Sequence, residues 1–207
     1  MSEPAARPAG MAGRKQPKVK AGGIIRESLD NSWMTPESIL ERVRVYFGGP
    51  IPLDPATATS NPTAAIAYHT APVQPDLFNE CGRGLVPSAP GGLAVPWDAP
   101  VFCNPPYGRE INAFLLKFAA EAKRGTTIIA LIPCSRFEGL PMNVAMGAAD
   151  AMCLIRGRVA FISSLDGQPV PGNPSASMVL GFNVIERLWR QSFGPLGACY
   201  ALRAMGD

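Results

Sequence analysis

A single histidine, no long apolar run and no paired-cysteine motif set the first limits on this 207-residue chain. With His69 alone, a histidine-built metal centre or triad is not expected, and His69 reads as a surface or locally satisfied loop residue. The five cysteines (Cys81, Cys103, Cys134, Cys153, Cys199) are odd in number and widely spaced. Neither a zinc site nor a disulfide framework follows from them, and a reduced, cytoplasmic setting fits. The longest apolar stretches, such as Thr127 to Pro133, fall far short of the ~20 residues that a membrane-spanning helix needs. The amino-terminal stretch also lacks the apolar core of a secretory leader.

Net positive charge is confined to one segment. Residues 1–26 carry Arg7, Arg14, Lys15, Lys18, Lys20 and Arg26 against Glu3, a local +5; because the whole chain is +3, the remainder is −2. Rich in alanine, glycine and proline, residues 1–28 are expected to form a disordered tail ahead of a domain at 29–207. That tail either adds salt-sensitive phosphate contacts or is a solvated leader. The rest, in a chain 47% hydrophobic and 17% charged, is sized for one well-buried domain.

The chemistry concentrates in Val101-Phe102-Cys103-Asn104-Pro105-Pro106-Tyr107-Gly108. Ala99 to Cys103 reads as a buried strand that stops at Asn104. Two prolines then fix φ and remove two backbone donors, leaving a stiff turn whose carbonyls are free to accept. Such a turn at a strand's carboxyl end lies where open α/β sheets bind ligands. A planar exocyclic amine such as N6 of adenine has two hydrogens that the Asn104 side-chain oxygen and the Pro105 carbonyl can accept, with Tyr107 stacking on the ring. The bland alternative is a strand followed by a proline-rich turn, with Tyr107 packed on the core.

Asn104-Pro105-Pro106-Tyr107 resembles the catalytic motif of amino-methyltransferases that use S-adenosylmethionine. Its surroundings resemble the phage-type DNA N-6-adenine methyltransferase (Dam-like) family: Trp33-Met34-Thr35-Pro36, Leu53-Asp54-Pro55-Ala56-Thr57-Ala58, Asn61, Trp97, Leu131-Ile132-Pro133 and Gly157-Arg158-Val159-Ala160-Phe161. The resemblance implies an α/β fold with a single twisted, mostly parallel sheet flanked by helices, Rossmann-like. It implies S-adenosylmethionine as cofactor, double-stranded DNA as partner and a flipped-out adenine as target, with no metal required. Asn104, Pro105, Pro106 and Tyr107 are then the catalytic candidates. Trp33, Thr35, Pro36, Asp54, Pro55, Ala56 and Asn104 are the cofactor candidates. Thr35 would touch the methionyl part, and Asp54 would face the cofactor's positive charge. Arg109, Arg136 and Arg158 are candidates for nucleic-acid contact, although solvated surface arginines look the same. The same motif also occurs in enzymes acting on an RNA base amine or a protein glutamine, and a catalytically silent nucleic-acid-binding module is a further alternative.

Thr35 as N-cap, Pro36 at the first helical position, and Ile39, Leu40, Val43 and Phe47 at helical spacing predict a helix over 36–47, closed by Gly48-Gly49. Thr35 is thus either a cap or a cofactor contact, and Trp33 either lines the cofactor pocket or staples the helix. Ile51 to Leu53 reads as a strand ending at Asp54. Residues 61–96 read as loop, with Asp76 to Gly92 resembling an insertion that is either a target-binding loop or a tolerated excursion. Ile111, Phe114, Leu115, Phe118, Ala119 and Ala122 mark one helix face, with Gly125 just past its end. Further strands are expected at 126–132, 151–155, 177–184 and 199–203, and a helix at 185–192. Loops are expected at 134–146 and 163–175.

Overall fold

Neighbouring side chains of the central strands go to opposite cores, and that alternation builds three layers. The computed structural model describes residues 33–70, 91–108, 110–136, 139–164, 166–170 and 175–203, all within the unit Asn31–Asp207. In order these form β1 (Trp33–Met34), α1 (Glu37–Phe47), β2 (Leu53–Thr57), β3 (Ala67–Thr70), β4 (Val101–Cys103), α2 (Ile111–Lys123) and β5 (Ile128–Pro133). A 3-10 turn (Cys134–Arg136), α3 (Leu140–Ala148), β6 (Ala151–Ile155), β7 (Ile162–Ser163), β8 (Ser177–Phe182), α4 (Glu186–Phe193) and β9 (Gly197–Ala201) follow.

Seven strands make one sheet in the order β3-β2-β4-β5-β8-β6-β9, while β1 and β7 form a separate antiparallel pair. β3, β2, β4 and β5 are mutually parallel. β8 is antiparallel to both β5 and β6, so β6 runs with β5, and β9 opposes β6. Most strands therefore point one way, as expected for a Rossmann-like α/β sheet. On one face Val101, Cys103, Ile128, Ala130 and Ile132 meet Phe114, Leu115 and Phe118 of α2 and Met142 of α3. On the other, Phe102, Ile129 and Leu131 meet Ile39, Leu40 and Val43 of α1 and Trp189 of α4. A Cβ on Gly181 of β8 would lie 2.5 Å from the Trp189 ring, so the glycine is what lets that indole seat on the sheet.

The helix ends follow local chemistry. Gly48 (φ 70°) closes α1 and Gly125 (φ 94°) closes α2. Beyond α2, the N–H of Gly125 donates to Ala122 and that of Thr126 to Glu121, satisfying the last carbonyls. Among the described residues, no helix is long and apolar enough to cross a membrane.

Several expectations need correction. Pro36, not Thr35, occupies the N-cap of α1, and no side chain caps that terminus. Tyr46, whose hydroxyl accepts the Ile185 N–H at 3.0 Å, takes the buried place expected of Phe47. β2 does not stop at Asp54 but runs through Pro55 to Thr57. The proline is tolerated because pairing to β4 is registered only at Leu53 with Val101, and pairing to β3 shifts between Asp54 and Thr57. The stretch 61–96 contains β3, an edge strand with no apolar run to announce it. The expected loop at 134–146 contains the 3-10 turn and α3. In the expected loop at 163–175, Ser163 pairs with Trp33. The expected tail at 1–28, Asp76 and residues 171–174 lie outside the described residues.

Phe118 touches Trp97 and Phe182 in the buried layer under α2, with ring centroids 5.8 and 5.9 Å away. Phe118→Ala is expected to cost about 3–5 kcal/mol in urea denaturation, and a loss below about 1 kcal/mol would contradict its central place.

Candidate active site

The parallel alignment of β2, β4 and β5 brings their carboxyl ends to one edge of the sheet. β8 enters the sheet at the same edge, because Ser177 pairs with Pro133 at the end of β5. Asp54, Asn104 to Tyr107, Cys134 and Ser177 therefore gather there from four separated stretches of chain.

Asp54 is buried to 2% exposure. Its Oδ1 accepts the Ala56 N–H at 3.0 Å and its Oδ2 accepts the Thr63 hydroxyl at 2.8 Å. Burial is the dominant influence, and it raises the carboxyl to about 6 despite these hydrogen bonds. Asn61 shapes the turn that presents Thr63: its Oδ1 accepts the Ala65 N–H at 3.1 Å and its Nδ2 donates to the Ala65 carbonyl at 2.9 Å. Gly92 lies against the following proline, since a Cβ there would stand 2.2 Å from the Pro55 carbonyl oxygen. The Gly92 carbonyl is held in turn by the Trp97 indole N–H at 2.8 Å. The end of the expected insertion is thus packed onto the Asp-Pro-Ala segment.

At the end of β4, Asn104 is half-buried, yet its Oδ1 is sealed from solvent and accepts no hydrogen bond. Pro105 behind it is buried. The Tyr107 ring packs edge-on against Phe161 at 5.7 Å, and Phe161 stacks on Trp33 at 5.7 Å. Trp33 therefore joins the aromatic wall beside Tyr107. Thr35 and Pro36 lead from that wall into α1, and Thr35 is buried. Burial drives the Tyr107 phenol far above its ordinary value, with the nearby Ser177 hydroxyl offsetting a little. Cys103 is buried next door, its thiol pushed well above the ordinary range by burial and then by the Asp54 charge. It reads as core.

The arginines divide. Arg158 is exposed in the segment that leaves the carboxyl end of β6, on the same edge as Asn104. It borders a recess of about 500 Å³ with Pro36, Ile39, Arg156 and Val159. Arg109 and the Arg136 side chain lie outside the described residues. Asp98 stands ahead of β4 on the opposite edge and pairs with Arg124 at 3.3 Å. Thr63, Phe161 and Ser177 join this edge with no local signal of their own assigning them a role. Asn61 flags the turn holding Thr63, whereas nothing local marks Ser177.

Asp54 is raised above the ~3.9 of an unfolded-chain aspartate. Its contribution to stability is thus fully present below that value and lost as pH rises through about 6. The unfolding free energy of the wild type, relative to Asp54→Asn, is expected to fall by on the order of 2–3 kcal/mol between about pH 4 and about pH 7. Urea denaturation across that range checks it, and a flat difference would sink the buried-carboxyl reading.

No curated protein matches the chain. The family model for DNA N-6-adenine-methyltransferase (Dam) matches residues 88–205, which takes in the Asn-Pro-Pro-Tyr turn and every element from β4 to β9. With more than half its length matched, the chain belongs to the Dam family of DNA adenine-N6 methyltransferases.

Proposed function

We propose that the carboxyl edge of the sheet binds S-adenosylmethionine beside an adenine rotated out of duplex DNA, and that methyl passes directly from the cofactor's sulfur to N6, whose surplus proton then leaves to water. The observation that carries this reading is the sealed Asn104 Oδ1, a buried acceptor with no hydrogen-bond donor. Leaving such a group unpaired costs roughly 1–3 kcal/mol, and an exocyclic amine is the donor that would relieve it.

The residues present fit the cofactor. Asp54 is a buried carboxylate whose ionised form gains from a nearby cation, and Trp33, Phe161 and Tyr107 form an apolar wall. When bound, S-adenosylmethionine supplies an electrophilic methyl on a cationic sulfur. Thr63 and the Ala56 N–H hold the Asp54 carboxyl in place to face that molecule's positive charge. Asn104 Oδ1 and the Pro105 carbonyl accept the two N6 hydrogens. That orients the amine and draws its nitrogen lone pair out of the ring plane, toward the methyl. Tyr107 stacks on the base. A base in a duplex is out of reach until it leaves the stack, so extrusion precedes transfer. Alignment of the reacting atoms supplies much of the acceleration, up to roughly 7–11 kcal/mol in favourable cases. Thr35 and Pro36 border the cofactor from the start of α1, Pro55 and Ala56 approach it through the backbone, and Pro106 keeps the turn rigid. Arg158, with Arg109 and Arg136, meets DNA phosphates.

Two experiments test this. Labelled methyl is expected to appear as N-6-methyladenine in unmethylated duplex DNA, and Asn104→Ala to lower kcat by at least about 100-fold, the scale for losing one preorganised polar contact to the reacting group. Label transferred instead to RNA or to a protein amide would overturn the DNA assignment. Separately, because Asp54 must be ionised to meet a cation, cofactor affinity is expected to weaken up to about tenfold per pH unit below about 6 in equilibrium binding. Asp54→Asn should bind weakly with no such pH dependence, and a wild-type affinity that is constant from about pH 5 to about pH 7 would remove Asp54 from the site.

A further inference from the structure

We propose that Cys153 and Cys199 form an oxidisable dithiol, which a disulfide-class oxidant such as glutathione disulfide closes into a bond that staples β9 to β6. In sequence nothing joins the two, for 45 residues lie between them. In the sheet they stand directly opposite each other, and β9 is the terminal strand of the order. Cys153 belongs to the buried core that includes Trp189 and Phe193 of α4, and Cys199 packs against the same core, so both thiols project from one face of the sheet.

Their place in the ladder suits a bond. Just beyond the two ends of this pairing, the Leu202 N–H donates to the Asp150 carbonyl at 2.7 Å and the Arg156 N–H to the Leu196 carbonyl at 2.9 Å. Bonded and unbonded pairs alternate along an antiparallel ladder. With Asp150 and Leu202 bonded at one end and Arg156 and Leu196 at the other, Cys153 and Cys199 fall at an unbonded position. Opposed α-carbons there stand about 4.5 Å apart, with side chains at their closest, inside the roughly 4.4–6.8 Å that a disulfide spans. The β-carbons must close from about 4.5 Å to about 3.8 Å, a small movement for a strand at the end of a sheet. The Cys153 thiol donates to the Phe193 carbonyl at 3.4 Å. That carbonyl also accepts the Leu196 N–H at 2.9 Å, so losing the thiol proton does not orphan it. Cys103, by contrast, lies opposite Ala130, with Cys134 beyond the end of that neighbouring strand.

Cys153 is fully buried and Cys199 half-buried, so Cys199 meets the oxidant. Its deprotonated sulfur attacks one sulfur of glutathione disulfide, the S–S bond breaks, and one glutathione leaves as a thiolate that takes up the proton. The Cys153 sulfur then gives up its proton, attacks the Cys199 sulfur of the mixed disulfide and expels the second glutathione. Two protein thiols have lost two electrons and two protons, and glutathione disulfide has gained both. Burial holds both thiols above their ordinary value, which keeps the thiolate fraction low and makes the exchange slow at neutral pH. The loop that closes, Leu154 to Ala198, carries Arg158 and Phe161.

The test uses the full chain, incubated with glutathione disulfide and compared with the same chain kept in reduced glutathione. Alkylation of the remaining thiols followed by peptide mass spectrometry is expected to show Cys153 and Cys199 joined to each other, neither carrying glutathione. In Cys153→Ser, which lacks the second thiol, Cys199 should stop at the glutathione adduct. The thermal midpoint of the oxidised wild type is expected to exceed that of the reduced form by at least about 4 °C, because cross-linking a loop of this length restricts the unfolded chain. That comparison sets one sequence in two states, so it does not depend on whether a variant folds. Both cysteines still alkylated after prolonged oxidation, a bond from either to another cysteine, or a linkage that needs denaturant would overturn the site. A linked pair with an unchanged or lowered midpoint would overturn the staple.

Discussion

Parallel pairing of β2, β4 and β5 is the constraint on which the site depends. Parallel strands need a crossover on a sheet face, and here α2 provides it between β4 and β5. Because the strands share a direction, whatever follows each of them emerges at the same edge. A buried carboxylate within β2 and a proline-stiffened amide just past the end of β4 lie on adjacent strands for that reason alone. The apolar layers on both faces of the sheet supply the burial that makes an unpaired polar group at this edge tolerable.

Polar groups at that edge are placed at a cost. Among the described residues, seven buried side-chain atoms lack a hydrogen-bond partner, and four of them, Thr57 Oγ1, Asn104 Oδ1, Tyr107 Oη and Ser177 Oγ, belong to the ends of β2 and β4 or the start of β8. A fold minimising its own energy would satisfy or replace them. Their concentration where four stretches of chain meet is what a preorganised binding site looks like before its ligand arrives. Asp54 follows the same logic in another form: burial opposes its charge, and its partners Thr63 and Ala56 orient it without neutralising it.

Much of the architecture was legible in the residues. The apolar face from Ile111 to Ala122, ended by Gly125, marked α2, and Ala151 to Ile155 marked β6. Strong periodicity and an obligatory glycine are local signals, so local reading finds them. β3 and α3 were missed because their character is tertiary. β3 is an exposed edge strand held by pairing to β2, and α3 is a short helix with Pro141 in its first turn and only Met142 and Ala145 buried. The N-cap at Thr35 was misplaced because proline itself can take that position, leaving the threonine buried rather than capping.

By itself the sequence determined the chemistry on offer: a rigid turn of free carbonyls after Asn104, an aromatic ring at Tyr107 and an acid beside a proline at Asp54. These follow from side-chain identity and from proline's fixed φ, which hold in any context. Only the tertiary structure decided which groups meet. The pairing of Thr63 with Asp54 and the aromatic wall of Trp33, Phe161 and Tyr107 join residues up to about 130 positions apart. Such contacts arise from strand order and direction, which are properties of the assembled sheet and of no single segment.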